Sequence, residues 1–277
     1  MDIALALAAA LLFALGIVLQ GQVASKASVE ESARADFLVA LARNPRWLVG
    51  NVADALGFVA QAGALAVGKL VVVQPLLATS VVFALPLGAK LAGRRVSIRE
   101  IAAALAVTAG LGAFLVLADP TGGVDNANAV EWIASFAVCG GLSLVLVVVA
   151  RGRSPARRAA LVGTAAGILF ALCAALTKTV VDQLADGVLT VLEHWQLYAL
   201  LVVGWAAMTA SQRSLQAGTL APAVATQMAV NPIVSVALGV LAFEESIHDK
   251  AWTAVLALLA FSVMIAGLVV LAVFQQD

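Results

Sequence analysis

The sequence predicts an all-α polytopic transmembrane helix bundle of about nine spans, built as two inverted four-helix repeats joined by a linker helix. Three observations lead to it. Hydrophobic residues make up 63% of the 277 positions and charged residues only 12%, with a mean hydropathy of +1.04. A soluble domain cannot cover its surface on that composition, so the chain is read as an integral membrane protein. The Lys and Arg residues collect in alternate loops. Finally, residues 6–23 are echoed at 163–180 with eight of eighteen positions identical, including Leu12-Phe13-Ala14-Leu15 against Leu169-Phe170-Ala171-Leu172.

A helix rises about 1.5 Å per residue, so a span needs about 20 apolar residues. Runs of that kind lie at about 3–22, 47–67, 70–91, 100–118, 130–150, 159–181, 193–211, 219–243 and 251–274. Only Asp2 is charged ahead of the first run, whereas a secretory leader starts basic, so this run is read as a retained helix. Between the first two runs, Ser28-Val29-Glu30-Glu31 fits a capping box and Asn44-Pro45 closes the segment. Phe37, Leu38 and Leu41 give this connector one apolar side, suited to lying along the membrane surface.

Arg and Lys are retained on the cytoplasmic side during insertion. The loop after the first span holds Lys26, Arg34, Arg43 and Arg46, and that after the third holds Lys90, Arg94, Arg95 and Arg99. Arg151, Arg153, Arg157 and Arg158 follow the fifth span, and Arg213 follows the seventh. The odd-numbered loops are therefore cytoplasmic, with the N-terminus outside and the C-terminus inside the plasma (cytoplasmic) membrane. The first and sixth spans then run in opposite directions, which makes the echoed units inverted: residues 1–118 form one, 151–277 the other, and 119–150 an outer loop and linker helix. Inverted duplication is the ground plan of many secondary transporters.

A net charge of zero leaves no polycation for nucleic acid. There is no H-E-x-x-H, G-x-S-x-G or P-loop, no cofactor motif, and only two histidines, so the chain is read as a non-enzyme. Cys139 and Cys173, without metal-like spacing, read as packing residues. The outer turn Asp119-Pro120-Thr121-Gly122-Gly123 reads as tight turns, and Asp125, Asn126 and Asn128 lack the spacing of a calcium loop.

The polar groups inside the spans are the candidate site. Asn51, Asp54 and Gln61 share one side of the second span. An intramembrane carboxylate such as Asp54 costs several kcal/mol unless hydrated, paired or protonated, so it is expected to face a cavity, although an interhelical hydrogen bond would also satisfy it. The third span carries Gln74-Pro75 and Pro86, and the eighth carries Pro222, Gln227 and Asn231-Pro232. Each interior proline removes a backbone hydrogen bond, so both helices are expected to kink or open, in corresponding positions if Gly68-Lys69-Leu70 is aligned with Gly218-Thr219-Leu220. Lys178 and Asp182, four apart near the outer end of the sixth span, form an expected charge pair. Gly163-Thr164-Ala165-Ala166-Gly167 fits the small-xxx-small pattern of close helix contact.

With these inverted units and motifs the chain resembles the drug/metabolite transporter superfamily, in its EamA-like part. Gly50-Asn51-Val52-Ala53-Asp54, leading through Ala64-Leu65 to Val73-Gln74-Pro75-Leu76, is similar to a stretch of the nine-span NIPA-type magnesium-transporter branch, although the order of acid and asparagine differs. Leu241-Ala242-Phe243-Glu244-Glu245 resembles the family's leucine-glycine-glutamate ending of the penultimate helix, where the first half has Ala92-Gly93-Arg94. The resemblance implies a transporter in which two four-helix units rock about a central cavity.

The leading expectation is thus a secondary transporter of a small solute or metabolite, with Asn51, Asp54, Gln61, Gln74, Gln227 and Asn231 lining the cavity. The expected partners are a small-molecule or ion substrate and the lipid bilayer, with a homodimer left open. One alternative is a magnesium-type divalent-cation transporter, for which Asp54 is the metal-ligand candidate. The other is a non-transporting scaffold or accessory subunit with a dry, apolar centre.

Overall fold

The computed structural model describes residues 1–24, 44–91, 93, 95–215, 220–246 and 251–274. The surface connector expected at 28–41, the Gly218-Thr219 register and Arg94 lie outside them. Eleven helices are present among the described residues: α1 (Asp2–Ala24), α2 (Pro45–Val67), α3 (Leu70–Ala78), α4 (Ser80–Leu91), α5 (Ile98–Ala118), α6 (Ala129–Val149), α7 (Pro155–Ala185), α8 (Val188–Glu193), α9 (Trp195–Leu215), α10 (Leu220–Leu241) and α11 (Ala251–Phe274). Counting α3 and α4 as one stretch, eight are long and apolar enough to cross a membrane. The exception among the long ones is α9, whose Gln196, Ser211, Gln212, Arg213 and Ser214 lower its hydropathy.

Local chemistry sets the helix ends. Asn44 caps α2, accepting from the Arg46 N–H at 3.0 Å, and Pro45 supplies a first-turn residue that needs no donor. Capping boxes open α5 (Ser97 with Glu100) and α6 (Asn128 with Glu131). In the third span the expected interruption is present: the helix breaks at Thr79, four residues past Pro75, where the Thr79 N–H bonds Leu76 O instead of the proline carbonyl. Its hydroxyl also donates to Leu76 O at 2.6 Å. The eighth span, expected to kink or open, does not open. Although Pro232 lies inside it, α10 is continuous from Leu220 to Leu241, and Pro222 falls in the first turn, where a missing N–H costs nothing.

Packing follows small residues. α1 lies antiparallel on α2, and Phe13 of the LFAL run meets Phe58 edge-on at 5.0 Å. α7 packs on both α9 and α10. A Cβ on Gly163 would lie 2.5 Å from Ala223 O, and one on Gly167 3.0 Å from Gln227 O, so the small-xxx-small run does set a close backbone approach. α5 crosses α11 with a reciprocal contact. Gly110 sits against Ala260 O and Met264 N, at 2.7 and 2.6 Å from an added Cβ, and Gly267 sits against Ala103 O and Val107 N, at 2.8 and 3.0 Å.

Two short strands close one end of the bundle. β1 (Thr121–Gly122) pairs antiparallel with β2 (Glu245–Ser246), in the register Thr121 opposite Ser246 and Gly122 opposite Glu245. The chain turns tightly on both sides of β1, as expected, with Asp119 left-handed at φ 32° and Gly122 and Gly123 at φ 67° and 104°. This end is called the clasp below.

Candidate functional site: a buried ion pair under the clasp

Glu245 is fully buried and carries the densest polar contacts at this end. Its two carboxylate oxygens accept the Leu70 and Val71 N–H groups, each at 2.8 Å. These are among the first N–H groups of α3, which have no partner within the helix, and a carboxylate there also complements the positive end of the helix dipole. The same carboxylate takes a charge-assisted bond of 2.7 Å from Lys178 Nζ, which is itself only 5% exposed. Below, Lys178 stands 5.0 Å from the centre of the Phe243 ring. One carboxylate thus joins α3, α7 and the segment after α10.

The clasp reinforces that junction. Lys69 donates to Pro120 O, Thr179 Oγ1 to Asp125 O at 3.2 Å, and Thr121 Oγ1 lies 2.9 Å from Ser246 Oγ. Trp132 caps the cluster, in ring contact with Phe243 and Trp195, its indole N–H bonded to Asn126 at 3.0 Å. Beside the ion pair opens a cavity of about 440 Å³, with Asp2, Lys69, Asp125 and Lys178 as its charged lining.

The sequence-predicted residues fall elsewhere, and none of the six expected to bind substrate lines this cavity. Asp54 faces α1, where its Oδ2 accepts from Gln20 Nε2 at 2.7 Å. Gly16 makes room for it: a Cβ there would fall 1.8 Å from Asp54 Oδ1. Asn51 turns back to Trp47 O of its own helix at 2.8 Å. Gln61 is half-buried. Gln227 accepts from Ser211 of α9 at 2.9 Å, and Asn231 from Ser235 at 3.3 Å. Gln74 is 3% exposed, and its Nε2 has no partner among the described residues. The ion pair of Lys178 is made with Glu245, 67 positions on, rather than with Asp182 one turn away. Asp182, half-buried, stands among Asp125, Asp186 and Lys178. Among the described residues no three His, Cys, Asp or Glu side chains are grouped to hold a metal ion.

Sequence reasoning placed Glu245 in a motif but gave it no role. The available signal was local: an acidic pair directly after an apolar run whose last helical residue is Leu241.

No family model matches the chain, and no solved structure matches it. An uncharacterized protein of Corynebacterium glutamicum is 30% identical over 272 residues, covering 96% of this chain and 93% of the relative. At that identity over nearly the full length of both, the chain belongs to the same family as the Corynebacterium glutamicum protein.

Proposed function

We propose that the chain is a secondary transporter of a small solute, made of two inverted four-helix units in the manner of the drug/metabolite transporters, with α9 as the seventh of nine spans. The observation that carries this reading is the α5–α11 crossing. Ala103 and Ala260, Val107 and Met264, and Gly110 and Gly267 are each separated by 157 positions, and each set meets the other reciprocally. That is the contact a two-fold axis generates, residue i on j and j on i. The spacing equals that of the echo between residues 6–23 and 163–180. The echoed helices agree at the level of packing: α1 lies on α2, and its counterpart α7 lies on α9.

Two related packings of one bundle supply alternating access. In this reading the clasp is the outer gate in its closed state. Its strands join the two units, since β1 follows the first and β2 lies in the second, and Lys178 opens onto the cavity through which solute would arrive. The arginine-rich ends then face the cytoplasm.

A disulfide tests it. Directly opposed strand residues lie within bridging distance, so Thr121→Cys with Ser246→Cys can be oxidised across the clasp. The background is a variant without Cys139 and Cys173, reconstituted in liposomes with the solute found by a thermal-shift screen of metabolites, amines and divalent ions. Oxidation should cut flux at least about tenfold, and reductant should restore it. Undiminished flux through the oxidised protein would falsify gating at the clasp.

A scaffold role draws on a different observation: Asp54 and Gln227 are satisfied by protein partners, Gln20 and Ser211. It predicts that no solute raises the melting temperature and that no flux appears.

A further inference from the structure

A larger cavity lies away from the clasp. It is a groove of about 610 Å³ between α6, α7 and α9, open on one side. It runs along α6 from Gly140 to Arg151, about 16 Å at the helical rise. That is the depth of one leaflet, half of a hydrocarbon core about 30 Å thick. Its walls are apolar, including Leu144, Val147, Leu169 and Trp205, which is 74% exposed. The hydroxyls along it are used internally: Ser143 donates to Ala165 O at 3.4 Å, and Thr209 to Trp205 O at 2.8 Å.

All the charge is at one end. Arg151 after α6, Arg158 in the first turns of α7 and Arg213 in the last turn of α9 converge there from three helices. Among the described residues no acidic side chain lines the groove, and none of the three arginines has a carboxylate partner. A cationic rim above an apolar slot one leaflet deep matches an amphiphile with an anionic head. Arg guanidinium groups suit phosphate oxygens because their planar donors bind two oxygens at once.

We infer that this groove binds an anionic phospholipid of the cytoplasmic leaflet, its phosphate held by Arg151, Arg158 and Arg213 and one acyl chain laid along α6 and α9 past Trp205. The choice of leaflet rests on the orientation proposed above; the binding does not. A lipid here would bridge the linker helix α6 to the second unit.

The test uses the full chain in detergent, exposed to equal amounts of dioleoyl phosphatidylglycerol and dioleoyl phosphatidylcholine, with retained lipid counted by native mass spectrometry. The wild type should retain one phosphatidylglycerol in at least about tenfold preference. Each arginine near an anionic headgroup is worth about fivefold, so R151Q/R158Q/R213Q should bring the preference close to one. The three side chains are exposed, so the fold should survive; if the triple variant does not, R213Q alone should lower the preference about fivefold. Ala206→Trp, which fills the slot and keeps the arginines, should reduce phosphatidylglycerol retention as well. Inorganic phosphate at millimolar concentration should not displace the lipid. Equal retention of the two lipids by the wild type, or an undiminished preference in the arginine variants, overturns the proposal; displacement by phosphate shows a simple anion site and overturns it too.

Discussion

Gly16 and Asp54 approach so closely that a Cβ on the glycine would lie 1.8 Å from the Oδ1 of the carboxylate. The α1–α2 seam is therefore cut to the shape of an acid, which Gln20 then holds by a 2.7 Å hydrogen bond. Gly16→Ala should displace Asp54 and cost about 1–3 kcal/mol, the usual penalty of overpacking. Asp54→Ala in the same chain vacates that space, so the double variant should be more stable than the sum of the single changes. Thermal unfolding in detergent reads this directly, and strictly additive losses would show that the two residues do not share the site.

Asp54→Asn separates structure from transport. Asparagine keeps an oxygen for the Gln20 amide, so the melting temperature should stay within a few degrees of the wild type. If Asp54 couples a proton or cation to solute movement, the same variant should lose coupled flux in liposomes while inserting normally. Retained flux would remove Asp54 from the mechanism and leave it a helix tie.

The Lys178–Glu245 pair predicts an unequal outcome for its two halves. Lys178→Met leaves Glu245 with two N–H donors from α3. Glu245→Ala strands a buried ammonium and uncaps that helix as well. Breaking a buried pair costs about 3–5 kcal/mol, and Glu245→Ala should fall at or above the upper end, Lys178→Met below it. A double variant less destabilised than Glu245→Ala alone would show directly that the stranded charge matters. Equal losses would mean that the α3 cap contributes nothing.

The reciprocal crossing of α5 and α11 carries a symmetry prediction. An added Cβ meets backbone at 2.6 Å from Gly110 and at 2.8 Å from Gly267. Gly110→Ala and Gly267→Ala should therefore destabilise by similar amounts, about 1–3 kcal/mol each. Unfolding midpoints far apart would argue against a two-fold relation at this crossing.

Much of the bundle was legible because its signals are local. The apolar runs mark the spans, and Asn44-Pro45, read as the close of the connector, is also the start of α2; the boxes of Ser97 with Glu100 and Asn128 with Glu131 are equally local but went unread. Thr79 is a partial case: two prolines announced an irregular helix but not which residue would carry the break. At Pro232 the helix does not open, because a lost hydrogen bond does not by itself interrupt a helix packed on its neighbours. The candidate site was harder. Lys178 was assigned to Asp182 by helical spacing, yet its partner is 67 positions away, and the groups Glu245 caps are about 175 positions away. Periodicity reports which residues share a face of one helix. It is silent on which side chain from a distant loop will reach that face.

That distance has a consequence in time. A ribosome releases Leu70 and Val71 long before Glu245, which lies 175 positions after Leu70, and the stretch between includes most of the later spans. Until the carboxylate arrives, the newborn α3 must hold its leading amides against water, a lipid headgroup or the insertion machinery. Truncated chains ending before residue 245 should therefore keep this segment reachable by water-soluble thiol reagents at an engineered Val71→Cys, and chains extending past it should not. The first half of the protein is translated early but finished late.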